Sequence, residues 1–187
     1  MNLPNKLTLA RFILIPFFIA ALYIDAIPFN IFIALVIFAV ASFTDMLDGK
    51  IARARNLVTN FGKFMDPLAD KALVMAALVA FIELGWCSAI AVIIILTREF
   101  MVSSLRLVAN NSSGKVIAAG FMGKLKTAFT MVAIVVILFL QGLASVDVNV
   151  PYTNLIGEIL VWVAVFFTVV SGVQYLMGYW DLIDTDK

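Results

Sequence analysis

Apolar residues fill this chain in long blocks, interrupted by polar residues at only a few places. Thr127–Val146 and Ile159–Trp180 contain no charged residue, and Ala26–Thr44 is a third uncharged block. Each approaches the roughly 20 residues that a helix needs to cross the hydrocarbon core of a bilayer. Three further blocks are apolar with charge toward one end. Lys6–Ile24 includes Arg11, Phe64–Ile82 opens with Asp66, Asp70 and Lys71, and Leu84–Ala109 closes with Arg98, Glu99 and Arg106. The pattern predicts six helices with breaks near Asp25–Pro28, Asn56–Gly62, Glu83–Ser88, Asn110–Gly123 and Ser145–Asn154. No internal repeat or low-complexity tract divides the sequence. Residues 1–187 are therefore expected to form a single all-α integral membrane domain with six transmembrane helices.

Composition agrees with that solvent. Of 187 residues, 64% are hydrophobic and 13% charged, whereas soluble domains are about half apolar and about a quarter charged. Six spans leave no room for a separate soluble domain. Lys6–Ile24 has the basic start and apolar run of a secretory signal, but the rest of the chain is as hydrophobic, so the segment is read as the first helix. The distribution of charge sets the orientation. With the N-terminus in the cytoplasm, the outer turns hold Asp25, Glu83 and Asp147 and no Lys or Arg, while all 13 basic residues fall on the cytoplasmic side. Both termini are then cytoplasmic. A single cysteine, Cys87, excludes an internal disulfide and reads as a small apolar helix residue; with no histidine, a zinc site is disfavoured. A metal here would need oxygen ligands, which points to magnesium, manganese or calcium.

One stretch departs from the apolar pattern: "DMLDGKIARARNLVTNFGKFMDPLAD", residues 45–70. At about 100° per residue, Asp45, Asp48, Gly49 and Ala52 share one helix face. Gly62, Asp66 and Asp70 form a second stripe at i, i+4, i+8. The polar residues Asn56–Phe61 suit a turn, so the two helices can lie antiparallel with four carboxylates converging. Unneutralised, such a cluster would repel itself and retain protons. Two divalent ions would match its charge and form a clamp for displacement at phosphorus. Gly49 and Ala52 would admit a phosphate close to the backbone, and Arg53 could pair with it through its planar fork. Two other readings are open. Asp45 and Asp48 could belong to a solvated rim of mixed charge at the membrane surface, or the acids could bind the ion of a cation channel or transporter. Against transport, the acids lie at helix ends and no broken midplane helix is evident.

The pattern Asp45-x2-Asp48-Gly49-x2-Ala52-Arg53-x8-Gly62-x3-Asp66-x3-Asp70 resembles the signature of the CDP-alcohol phosphatidyltransferases at all eight fixed positions. "NLPNKLTLARF", "DPLADK" and "LTREFMVSSLRLVA" extend the likeness over nearly the whole chain, toward bacterial members that use sn-glycerol 3-phosphate as acceptor. The resemblance implies a six-helix membrane enzyme, usually a homodimer, with a polar cavity open to the cytoplasm of a bacterial cell. It implies two divalent cations, magnesium or manganese, on Asp45, Asp48, Asp66 and Asp70, with Asp70 also the catalytic base. It further implies CDP-diacylglycerol contacts from Gly49, Arg53, Thr59 and Gly62, and from Asn5 and Thr8, for which helix capping or interfacial polarity is the plainer alternative. No nucleic-acid partner is implied.

The acceptor is less explicit. Family members differ in the alcohol, which can be glycerol phosphate, inositol phosphate, serine, a choline-like alcohol or phosphatidylglycerol. Arg98 and Arg106 lie eight residues apart, about two turns, and so project from nearly the same helix face. Lys124 and Lys126 begin the fifth helix on the same cytoplasmic side. These four could anchor the chain to anionic head groups, or form a cationic pocket for an acceptor that carries its own phosphate. Glu99, adjacent to Arg98, is a possible orienting partner. The pocket reading, with the likeness of helix four, favours sn-glycerol 3-phosphate over inositol phosphate.

Overall fold

The computed structural model describes residues 3–55, 60–112 and 120–178, with the backbone alone described at 3–7, 45–55, 60–67, 70 and 107–112. Among these residues there are six helices and no strand. They are α1 (Leu3–Tyr23), α2 (Asn30–Arg55), α3 (Asn60–Glu83), α4 (Ala89–Ser112), α5 (Phe121–Ser145) and α6 (Thr153–Gly178). Their number and order are those expected, but their ends are not where hydrophobicity ends. α2 continues eleven residues past Thr44, and α3 begins at Asn60, so Gly62 lies inside a helix rather than in a turn. Hydropathy reports the solvent, whereas a helix continues while its backbone hydrogen bonds do, and Leu47, Ala52 and Ala54 favour that continuation.

Positive-φ residues mark the connections. Gly85 at φ 71° follows α3 in the left-handed conformation that a glycine adopts without steric penalty. Phe29 before α2, Asp147 after α5 and Tyr152 before α6 adopt φ values of 58°, 59° and 63°. Phe29 and Tyr152 are bulky for this region, which marks those turns as held by their surroundings.

The chain divides into two compact units. The first comprises residues 1–84 and 134–153. In it α1 packs against both α2 and α3. Its buried residues include Phe18, Leu22, Ala34, Phe38, Ala41, Leu73, Ala77 and Phe81. The rings of Phe18 and Phe38 lie 6.0 Å apart, and Phe32 meets Phe139 edge-on at 6.3 Å. At the far end of α1 and α3, the Tyr23 hydroxyl donates to Glu83 Oε2 at 2.8 Å.

The second unit comprises residues 85–133 and 154–187. Val92, Ile95, Val102, Val161, Ala164 and Val165 are buried there, and Phe129 stacks on Phe167 at 4.5 Å. Glu158 ties the turn before α4 to α6: it accepts from the Ser88 N–H and from Trp162 Nε1, each at 2.7 Å. Among the described residues two helices, α5 and α6, are long and apolar enough to cross a membrane. Along α6 the exposed residues Leu155, Ile159, Trp162, Phe166, Val169, Val173 and Met177 form a continuous apolar stripe. A soluble monomer rarely exposes such a patch; a lipid solvent calls for it. The chain is a membrane protein.

Candidate functional site

The first unit presents the acid-rich positions. Asp45, Asp48, Gly49, Ala52 and Arg53 lie on the continuous helical backbone of α2. Relative to Asp45, the next three fall within about 60° around the helix axis. α3 places Gly62, Asp66 and Asp70 on its first three turns, each about 40° from the last. Five Cα–Cα steps separate Arg55 from Asn60, and at no more than about 3.6 Å each they keep the two helix ends within roughly 18 Å. The expected stripes therefore exist as backbone, on consecutive helices joined at their acid-bearing ends. The side chains of Asn5, Asp45, Asp48, Arg53, Asp66 and Asp70 lie outside the described residues, as does Thr59 altogether. No group of three or more His, Cys, Asp or Glu comes together among the described residues.

α1 contributes to the same unit. Thr8 is 2% exposed and Arg11 is 3% exposed, one turn apart on the face that α1 turns inward, and both are engaged with partners. Asn5 lies one turn earlier on the same helix. Arg11 entered the sequence reading only as the charged end of a span. Its burial makes it a functional candidate, because a guanidinium removed from water persists only where it is paired. The signal available in the sequence was a charge inside an apolar run.

The second unit holds a polar cluster with its side chains described. On α4, Arg98 is 7% exposed and Glu99 is 9% exposed. Arg98 Nη1 donates to Glu99 Oε1 at 3.2 Å, and Arg98 Nη2 donates to Ser171 Oγ of α6 at 2.8 Å. The same Glu99 oxygen accepts from Lys126 Nζ of α5. Two turns along α4, Arg106 Nη2 donates to the Tyr175 hydroxyl of α6. The Tyr175 ring lies under both guanidinium groups, with Cζ of Arg98 at 5.3 Å and Cζ of Arg106 at 5.1 Å from its centroid. Arg98 and Arg106 thus share a face, and Glu99 is the orienting partner of Arg98. Lys126 joins them and Lys124 is exposed to solvent.

Thr168, Ser171, Gly172 and Tyr175 were not anticipated. They recur at i, i+3, i+4, i+7 on α6, the spacing of one helix face. Gly172 leaves room there: a Cβ would stand 3.1 Å from Arg98 Cγ, so a larger residue would require the arginine stem to shift by a few tenths of an ångström. Within this cluster, two polar atoms are buried without a hydrogen-bond partner among the described residues, Arg98 Nε and Thr168 Oγ1. The only trace of this face in the sequence was a run of small and polar residues within an otherwise apolar helix.

Comparison with known proteins agrees with the resemblance read from the motif. The family model for CDP-alcohol phosphatidyltransferase matches residues 1–170. The chain is 44% identical over 197 residues to a CDP-diacylglycerol–glycerol-3-phosphate 3-phosphatidyltransferase of Bacillus subtilis, covering 100% of this chain and 99% of that protein. A protein of the same name from Rickettsia bellii is 39% identical over 176 residues, covering 93% of each chain. One from Shigella flexneri is 36% identical over 187 residues, covering 98% of each.

Proposed function

The chain belongs to the CDP-alcohol phosphatidyltransferase family, and from that premise we propose that it transfers the phosphatidyl group of CDP-diacylglycerol to sn-glycerol 3-phosphate. The products are phosphatidylglycerophosphate and CMP, the committed step toward anionic phospholipids. The main support is the eight-position pattern Asp45–Asp70, complete in this chain and set on two consecutive helices. The names of relatives matched over nearly their whole length support the acceptor.

The acceptor's hydroxyl oxygen attacks the β-phosphorus of CDP-diacylglycerol. A new P–O bond forms, the bond to the bridging oxygen of the pyrophosphate breaks, and CMP leaves with that oxygen. Asp70 takes the hydroxyl proton. Asp45, Asp48 and Asp66, with Asp70, are a hard oxygen donor set in a chain without histidine, which fits magnesium or manganese. Bound there, two such cations would supply Lewis acidity toward the phosphoryl oxygens. Gly49, Gly62, Arg53, Thr59, Asn5 and Thr8 bind the CDP portion, with Arg53 answering phosphate charge as it grows. Arg98, Arg106, Lys126 and Lys124 receive the acceptor's phosphate. Of these, Arg98 already donates one bond from each terminal nitrogen, to Glu99 and Ser171, which fixes its orientation, so its contribution is mainly charge.

The same proposal has residues 1–187 as one catalytic domain crossing the bacterial cytoplasmic membrane six times, as a homodimer. The turns at 24–29, 84–88 and 146–152 carry no Lys or Arg, and the connections at 56–59 and 113–119 lie beside the basic ends of α2, α4 and α5. That alternation supports cytoplasmic termini and a cytoplasm-facing site.

Purified protein in detergent, given CDP-diacylglycerol and magnesium, should release CMP with glycerol 3-phosphate. Inositol phosphate, serine and phosphatidylglycerol should be poor acceptors in the same panel. Turnover with one of those three, and none with glycerol 3-phosphate, would overturn the acceptor. Absence of CMP release with every acceptor would favour ion transport instead.

A further inference from the structure

The seam between α4 and α6 is polar where two membrane helices would ordinarily meet through apolar side chains. Two guanidinium groups from α4 rest on one ring from α6, and like charges held this close repel unless something compensates. Part of the compensation is internal. The Tyr175 ring faces both groups, its hydroxyl accepts from Arg106, and Glu99 accepts from Arg98. Within this set of four, Arg98, Arg106 and Lys126 against the Glu99 carboxylate carry a net charge of +2, with Arg98 buried and Arg106 exposed. The buried Arg98 Nε and Thr168 Oγ1 still have hydrogen-bonding capacity unfilled, and buried polar groups are ordinarily satisfied. A phosphate monoester dianion has the complementary charge.

We propose that Tyr175 is a positioning residue for the acceptor: it fixes Arg98 and Arg106 as one unit, so that their combined field selects an alcohol carrying a dianionic phosphate. This rests on the assignment of these cations to the acceptor. Tyr175 does not touch the reacting atoms. It acts through Arg106, by hydrogen bond and ring face, and through Arg98, by ring face, while Gly172 leaves the space for the Arg98 stem. Neutral or zwitterionic alcohols gain nothing from a site with an excess of two positive charges, and so discrimination follows from charge rather than from shape.

The test is steady-state kinetics of Arg106→Ala, Tyr175→Phe and Tyr175→Leu, varying glycerol 3-phosphate and CDP-diacylglycerol separately. Arg106→Ala should raise the acceptor KM by about tenfold or more, as loss of a charged hydrogen bond does. Tyr175→Phe, which keeps the ring and loses the hydroxyl, should raise it by roughly three- to tenfold; Tyr175→Leu should raise it further. The KM for CDP-diacylglycerol and kcat should stay within about twofold, the mark of lost uniform binding of one substrate. In an Arg106→Ala background, Tyr175→Phe should add little, since its hydroxyl then has no guanidinium to hold. An unchanged acceptor KM in Arg106→Ala would remove the underlying assignment. A raised KM in Arg106→Ala with wild-type values in both Tyr175 variants would refute the positioning role alone. Parallel changes in kcat and both KM values in the Tyr175 variants would reduce Tyr175 to packing. Should Tyr175→Leu fail to fold, Tyr175→Phe and the double variant decide between these outcomes.

Discussion

Glu99→Gln keeps nearly the volume of the side chain and removes a carboxylate that Arg98 and Lys126 share. Arg98 stays 93% buried, so it cannot recover its charge partner from water. Breaking a buried pair by deleting one member costs about 3–5 kcal/mol, because the remaining charge is left uncompensated. Only 12% of the Lys126 side chain is exposed, but its flexible stem lets the ammonium turn toward water, which places the expected loss near the lower end, about 3 kcal/mol. For a chain of this size each kcal/mol shifts the midpoint by roughly 2–4 °C, so the apparent Tm should fall by about 6–12 °C. The measurement is thermal unfolding in detergent at one fixed scan rate, since membrane proteins unfold irreversibly and their midpoints depend on rate. A triple variant, Arg98→Met with Glu99→Leu and Lys126→Met, removes the charges together; apolar replacement of a whole buried network is commonly neutral or stabilising. Its midpoint should return to within a few degrees of wild type while acceptor binding is lost. A Glu99→Gln midpoint within about 2 °C of wild type, or a triple variant less stable than the single, would refute the reasoning.

Activity should vanish with excess chelator, return with magnesium or manganese, and be abolished by Asn at Asp45, Asp48 or Asp66; full activity in chelator would exclude the carboxylates as a metal site. Asp70→Asn should lower kcat by about a hundred- to ten-thousandfold, the range for a general base, while CDP-diacylglycerol still binds in an equilibrium assay. Gly172→Ala forces a methyl to within 3.1 Å of the Arg98 stem, and should cost about 1–3 kcal/mol as overpacking does; a wild-type midpoint would show that the seam yields freely. In the turn before α4, burial and then the nearby Glu158 carboxylate push the Cys87 thiol up to about 11. The thiol is therefore protonated at neutral pH, and its maleimide rate should be low and rise about tenfold per pH unit below that value. With that background silent, single cysteines placed at 113–119 should be labelled only from the cytoplasmic side and one at position 147 only from outside, and the reverse pattern would invert the orientation.

What the sequence made legible here is what depends on local periodicity. Asp45, Asp48 and Gly49 on one helix, and Gly62, Asp66 and Asp70 on the next, are related by i+3 and i+4 steps, and a helix turns those steps into faces wherever its neighbours lie. The ends of α2 and α3 were not legible, because Thr44 closes the apolar run but not the hydrogen-bond ladder, which runs on to Arg55. The α4–α6 partnership was hidden for a different reason. Arg98 and Arg106 could be read as a pair from their own spacing, yet nothing local to Ser171 or Tyr175 says which helix they face. Only tertiary packing joins residues 69 and 73 positions apart. Burial then changes what Arg98 means. At a membrane surface it would be an anchor worth little by itself, screened by salt and water. Inside the seam, held by Glu99, Ser171 and the Tyr175 ring beside the exposed Arg106, it is a charge fixed in place before any ligand arrives, and its sign fits an anionic acceptor.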